Sequence, residues 1–305
     1  MERNVFLAAL PHSGSTLLGV LLQQHEMIYH AGESFYWDKI DPRTATCSCG
    51  ATGCEILIAL RRRIKNSPHS DSILSIGRIC GLIDRLEEPF KQAHPMSLSY
   101  DIAASSEAEV ADALPSCING LCRLADTYRD VSGLPVVADN SKYIRLTSPL
   151  IAAGWKIVVV VRDPRGLAYA NKKVCARKHV NRPIEQKLGV YTSFARRAAT
   201  ISRQCDSVHV VRYEDMCCNP QAELGKIYRF LGLAYSNIQV AIKNTGHALA
   251  GNRFLFRLDH ADIRIREDRT WQESLSADDL EKIISHKELL DAYRYFGYAF
   301  NSQET

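Results

Sequence analysis

The chain has 305 residues, 46% of them hydrophobic and 24% charged, with a net charge of +4. Enough apolar side chains are present to build a sizeable core, which excludes disorder as the main theme. No apolar run approaches the roughly 18–20 uncharged residues of a membrane span, and the mild positive charge suits a small anion better than a nucleic-acid backbone, so neither membrane nor nucleic acid is expected as a partner.

The first apolar stretch, Val5–Leu10, ends in Pro11 and reads as a strand rather than a signal peptide. An apolar helix follows over Ser15–His25, then a short second-strand region before Glu33. Ten cysteines in a chain without an export signal are expected to be free thiols in a reducing, cytoplasmic setting. Cys47, Cys49 and Cys54 put three thiols within eight residues, enough to raise zinc. No second Cys/His pair stands at finger-like spacing, so plain turn cysteines and no metal are the expectation. From about Cys54 to Asp130 the periodicity is helical, broken near Pro68, Pro89 and Pro95. Strands are predicted at Val136–Ala138, Lys156–Val161 and Val208–Tyr213; the near-pure Val/Ile run Ile157–Val161 has the pattern of a strand buried on both faces. Helices are expected at Leu146–Ala153, in pieces over Arg165–Arg203, and at Gln221–Leu231 with Gly232 as C-cap. Strands alternating with helices point to one α/β domain over 1–305 with a parallel sheet, and its ligand site at the carboxyl ends of the strands.

Three motifs carry chemistry. L-P-H-S-G-S-T-L-L, residues 10–18, is a Gly/Ser turn that opens a helix, where free N–H groups and the helix dipole attract an anion. His12, Ser13, Gly14, Ser15 and Thr16 form this nest; an ordinary capped helix start is the alternative. The P-loop pattern and its lysine are absent. After the buried strand comes R-D-P-R, where Arg162 can grip a phosphate or form a salt bridge with Asp139 or Asp163. Asp163 and Pro164 read as cap and first turn of a helix. The third, H-V-V-R-Y-E-D-M, brings Tyr213 to a turn in which Glu214 and Asp215 read as caps.

In order and spacing, these motifs and the later F-L-G-L (230–233) resemble the sulfotransferase superfamily, over residue 4 to about Tyr298. D-N-S-K at 139–142 and the C-x-C-G segment place the resemblance nearest its bacterial and carbohydrate-type branch. The resemblance implies a three-layer α/β/α sandwich related to nucleotide kinases. It also implies 3′-phosphoadenosine 5′-phosphosulfate (PAPS) as sulfuryl donor, PAP as product and no required metal. Residues 11–16 would cradle the 5′-phosphosulfate and Arg162 the 3′-phosphate, with Tyr213 at the adenine. Arg264 or Arg266, in R-I-R-E-D-R-T-W, would lie over the 3′-phosphate, and Lys142 near the transferred group. His12 stands where the family usually has Lys or Arg, and Ala170 where a serine would bind the 3′-phosphate; either the donor is bound less tightly, or Lys172, Arg264 or Arg266 compensates.

Sulfuryl transfer needs in-line positioning and neutralisation of the leaving phosphate, tasks for His12 or Lys142 and the helix-end N–H groups. The histidine that cytosolic relatives use as base is missing, because Tyr143 and Ile144 follow Lys142. Glu33, in H-A-G-E-S-F-Y-W-D, is the favoured base, with a helix-capping role as alternative and His30 as a weaker candidate packed against the first helix. The segment Cys54–Asp130 is expected to cover the acceptor side, and the acceptor to be a hydroxyl of a small metabolite, saccharide or natural product. A kinase-like phosphotransferase and an inactive PAP-binding homologue stand as alternatives.

Overall fold

The computed structural model describes residues 3–87, 106–180, 182–235, 246–249 and 265–300. Five strands, β1 (Arg3–Ala9), β2 (Ile28–Gly32), β3 (Val136–Lys142), β4 (Lys156–Val161) and β5 (Val208–Arg212), form one sheet in the order β2-β3-β1-β4-β5. Every neighbouring pair is parallel. A parallel pair needs a crossover connection, so the faces of the sheet are clothed by helices.

Alternation along β1 shows the layering. Val5, Leu7 and Ala9 join Val158 and Val160 of β4 in a core closed by α1 (Ser15–Leu22), α8 (Tyr213–Cys218) and α9 (Pro220–Leu231). Phe6 and Ala8 join Ile157, Val159 and Val161 on the opposite face. That face is covered by α2 (Glu55–Asn66), α3 (Ser70–Glu87), α4 (Glu107–Ser132), α5 (Thr147–Ala152), α7 (Glu185–Gln204) and α12 (Lys287–Arg294). A strand with both sets of side chains buried is the central layer of a three-layer sandwich. Of the remaining helices, α6 (Pro164–Arg177) follows β4, and α10 (Trp271–Ser274) and α11 (Ala277–Ile284) pack against α6.

Several boundaries differ from expectation for identifiable reasons. The first helix stops at Leu22 rather than His25. There the chain turns, with His25 Nδ1 accepting the Met27 amide at 3.1 Å and its ring edge-on to Tyr228. The last strand ends at Arg212, not Tyr213; Tyr213 opens α8, and Glu214 and Asp215 occupy that helix's first turn, where acids suit the dipole. β3 runs on to Lys142 through a register shift between Asp139 and Lys142, a bulge that re-aims the strand end. Pro68 separates α2 from α3 as expected, whereas Pro89 and Pro95 lie outside the described residues. Gly232 caps α9 in the left-handed conformation.

Helices α3 and α4 touch closely because Gly120 has no side chain. A Cβ there would stand 2.5 Å from the Ser72 carbonyl oxygen, part of α3's backbone. Gly120→Ala is therefore expected to cost about 1–3 kcal/mol, the usual range for overpacking. Urea unfolding should show a lower midpoint at constant slope; an unchanged midpoint would contradict this packing.

Candidate active site

Each strand delivers its candidate residue at its carboxyl end. β1 runs into the 10–16 loop, where two residues hold positive φ: His12 at 71° and Gly14 at 91°. Gly14 is required twice over, since a Cβ would also meet the Tyr213 ring at 2.5 Å. The loop is tied by the Ser13 amide to the Leu10 carbonyl at 3.2 Å, and by the Ser13 hydroxyl to the same oxygen. No side chain caps α1, and Ser13, Ser15 and Thr16 are buried around its start. Uncapped amides and a positive dipole end make this an anion nest.

Arg162, at the end of β4, lies against that nest. Its guanidinium donates to the His12 carbonyl at 2.8 Å and the Asp268 carbonyl at 3.1 Å, and sits 4.4 Å from the centre of the Tyr213 ring. Neither carboxylate weighed as its partner pairs with it. Asp163 forks onto Arg165 and caps α6, and Asp139 accepts the Ser141 amide. The carboxylate nearest Arg162 is Asp268, at 3.7 Å, which also lies 3.4 Å from Lys173. Two cations converging on one carboxylate mark a position suited to an anionic group. Nothing in the sequence pattern flagged Lys173 or Asp268; their meeting depends on the 265–271 segment crossing α6, where Trp271 stacks on Arg165.

Tyr213 is buried between the loop and Arg162, and its hydroxyl accepts the Asp268 amide at 3.0 Å. In this arrangement its ring braces the loop and the C-terminal segment. Glu214 is structural, accepting the Asp163 amide at 2.9 Å and the Tyr298 hydroxyl at 2.6 Å. Arg266 is exposed, Arg264 lies outside the described residues, and Lys172 is paired with Asp279 of α11.

Glu33 and Lys142 meet in an ion pair at the ends of β2 and β3, with side chains 9% and 19% exposed. Glu33 occupies the cap position of the short turn Ser34–Tyr36, yet its side chain makes no capping bond. Lys142 reaches it from a left-handed backbone, φ 78°, at the end of the bulge. A left-handed lysine costs energy that the surroundings must supply, and such strain concentrates at functional sites. Next to it, both polar atoms of the Asn140 amide and the Ser141 hydroxyl are buried without partners among the described residues. Of the three aromatics after Glu33, Trp37 is core and donates to the Tyr128 hydroxyl at 2.6 Å. Phe35 and Tyr36 stay partly exposed, with Phe35 edge-on to Tyr143. His30 packs against α1 so closely that a Cβ on Gly19 would come 2.2 Å from its Nε2. Burial holds His30 down to a pKa of about 4.

His12 departs from the expected role of a standing cation. Burial, reinforced by Lys142 and Arg162, lowers its pKa to about 4, so the imidazole is neutral at physiological pH. A surface hollow of about 320 Å³ between α2 and α4 is lined by Arg62, Asn66 and Asp130 among others, and none of the candidate site residues lines it.

Residues 4–237 match the model of the Sulfotransferase family, and the chain belongs to that family. No curated protein matches it. Among solved structures, the sulfotransferase domain from the curacin biosynthetic pathway is similar in fold. It shows 15% identity and a TM-score of 0.52, with 99% of each chain covered. A sulfotransferase from Alicyclobacillus acidocaldarius also matches at 12% identity, 98% of each chain covered and a TM-score of 0.49. The chain thus has both the family signature and the α/β fold of sulfotransferases. Among the described residues, no helix is long and apolar enough to cross a membrane.

The neutral state of His12 is directly testable. In the unfolded chain it titrates near pH 6.5, so on acidification the unfolded state takes up the proton first. The stability this contributes is present above about pH 6.5 and is lost as pH falls toward 4. Histidine-selective NMR should find His12 neutral in the free protein at pH 6, and a bound adenosine bisphosphate should raise its pKa. A free-state pKa at or above 6.5 would contradict the placement.

Proposed function

We propose that the protein moves a sulfuryl group from PAPS to a hydroxyl of a small metabolite, saccharide or natural product. The observation that carries this reading is the convergence of an uncapped anion nest, a buried arginine and a carboxylate–lysine pair at one edge of the sheet. A kinase would need the phosphate-loop lysine that the 10–16 turn lacks.

The amides of Ser15 and Thr16 receive the 5′-phosphosulfate at the start of α1. Arg162 and Lys173 hold the 3′-phosphate, which takes the position of the Asp268 carboxylate and relieves that carboxylate of its two cations. The Tyr213 ring, fixed by Gly14 and Arg162, sets the loop against the nucleotide. Glu33 accepts the proton of the acceptor hydroxyl as its oxygen attacks sulfur in line and the bond to the 5′-phosphate breaks. Lys142, already beside Glu33, turns toward the leaving phosphate oxygen and shares its charge with the α1 amides. His12, close to both cations, becomes a cation only as negative charge builds up next to it. Phe35 and Tyr36 border the acceptor on the side covered by α2–α4. The whole chain acts as one domain, and all steps use protein groups without a metal.

An acceptor library incubated with PAPS and read by a mass gain of one sulfuryl group tests the reaction itself. Glu33→Gln is expected to lower kcat by roughly 10²–10⁴-fold with donor affinity nearly unchanged, because it keeps the shape but removes the proton acceptor. If the variant stays within about threefold of wild type while chemistry limits turnover, Glu33 is not the base. Lys142 carries a second signature. Lys142→Met leaves a buried carboxylate unpaired and should cost about 3–5 kcal/mol of stability, whereas Lys142→Met combined with Glu33→Gln should recover much of it. Simple additivity of the two would rule out the buried pair.

A further inference from the structure

Outside the transfer site, the chain brings together four side chains that share one chemistry. We infer that Cys47, Cys49, Cys54 and His247 form a closed, structural zinc site. Their ligand atoms all lie within 4.8 Å of one another. His247 Nδ1 stands 3.3 Å from the Cys54 sulfur and 3.8 Å from that of Cys47. In a tetrahedral site with Zn–S near 2.3 Å and Zn–N near 2.0–2.1 Å, the sulfur–nitrogen edge is about 3.6 Å, so the two observed separations bracket it. Two thiols sharing one imidazole acceptor would satisfy one hydrogen bond between them; a dication uses all four groups at once.

The surrounding backbone is built to hold this geometry. Thr46 and Thr52 bridge an antiparallel turn, inside which the Cys47 amide donates to the Ala51 carbonyl at 2.9 Å. Gly50 and Gly53, at φ 89° and 68°, curl the chain so that the cysteines on either side face one point. Cys54 stands at the N-cap position of α2, so the helix start fixes its place beside the turn. On the other side, Ser48 clamps the histidine's backbone. Its amide donates to the Ala248 carbonyl at 3.1 Å, its hydroxyl to the Gly246 carbonyl at 2.9 Å, and that hydroxyl accepts the Ala248 amide at 2.8 Å. The Tyr29 hydroxyl of β2 fixes the His247 carbonyl at 2.8 Å. His247 is thus aimed by bonds to the residue between two of the cysteines, not by the cysteines themselves.

Four protein ligands fill a tetrahedron, and Cys47 and Cys54 are buried, so the site stabilises structure and leaves no position open for a substrate. What it joins is far apart in sequence. A thiolate in the turn after β2 would be linked to a residue 200 positions later, a loop whose closure costs the most chain entropy. The zinc would therefore pin the 246–249 segment to the edge of the sheet that carries Glu33. This holds whatever group the enzyme transfers, so its test is independent of sulfation.

Protein purified under reducing conditions from zinc-supplemented medium is expected to carry about one zinc per chain by elemental analysis. Exchange for cobalt should give thiolate-to-metal charge-transfer absorption and the intense visible bands of a tetrahedral ion. His247→Cys should keep the metal and strengthen the charge-transfer band, whereas His247→Ala should release zinc to a chromogenic chelator far more readily. The inference is overturned by less than about a tenth of a zinc per chain with no cobalt spectrum in the wild type. Iron at about one per chain in place of zinc, or a Cys47–Cys54 disulfide in freshly purified protein, would overturn it equally. Because the decisive spectrum is taken on the wild-type chain, variants that fail to fold leave the result intact.

Discussion

Parallel pairing is the constraint on which this molecule depends. With all five strands aligned, each strand must reach the next through a crossover, and every strand ends on the same edge of the sheet. The 10–16 loop, Glu33, Lys142, Arg162 and Tyr213 follow five different strands, yet the topology gives them no choice but to face one crevice. β1 sits between β3 and β4, so its loop occupies the point where the chain has gone first to one side and then to the other. An anion nest at that point is flanked by an acid–base pair on the β2–β3 side and by a guanidinium on the β4 side.

Charge in the crevice is arranged in pairs waiting to be exchanged. Lys142 rests on Glu33, and Arg162 with Lys173 rests on Asp268. Buried cations without partners would be costly, and so would cations bound too firmly to their own carboxylates. In the proposed reaction a ligand with two separated anionic groups would take over Lys142 from Glu33 and both Arg162 and Lys173 from Asp268, which would free Glu33 to take up a proton. The neutral His12 fits the same scheme, since a fixed charge there would add a third cation to a crowded desolvated loop.

Much of this was legible in the sequence because the informative features were local. A Gly/Ser turn after a strand, an arginine ending a Val/Ile run and a glutamate after a short strand each declare themselves within ten residues. What escaped was set by distance or by environment. The 247th residue completes a cysteine cluster that begins two hundred residues earlier, and no spacing rule reaches so far. Asp268 and Lys173 meet only after the C-terminal segment folds across α6. The protonation state of His12 depends on which cations surround it, and the end of β5 on the Glu214 contacts that make Tyr213 start a helix. The bulge in β3 leaves no trace in hydrophobic alternation, yet it turns Lys142 onto Glu33.

The proposed reaction requires Arg162 and the 10–16 loop to hold the two phosphate ends of one nucleotide. Calorimetric titration with adenosine 3′,5′-bisphosphate, with ATP as the comparison ligand, tests it most directly. Tight one-to-one binding of the bisphosphate, far weaker binding of ATP, and a loss of about 2–4 kcal/mol in a folded Arg162→Ala variant are the predicted results. Equal affinity for both nucleotides, or an Arg162→Ala variant that binds the bisphosphate as wild type does, would show that Arg162 does not hold the 3′-phosphate.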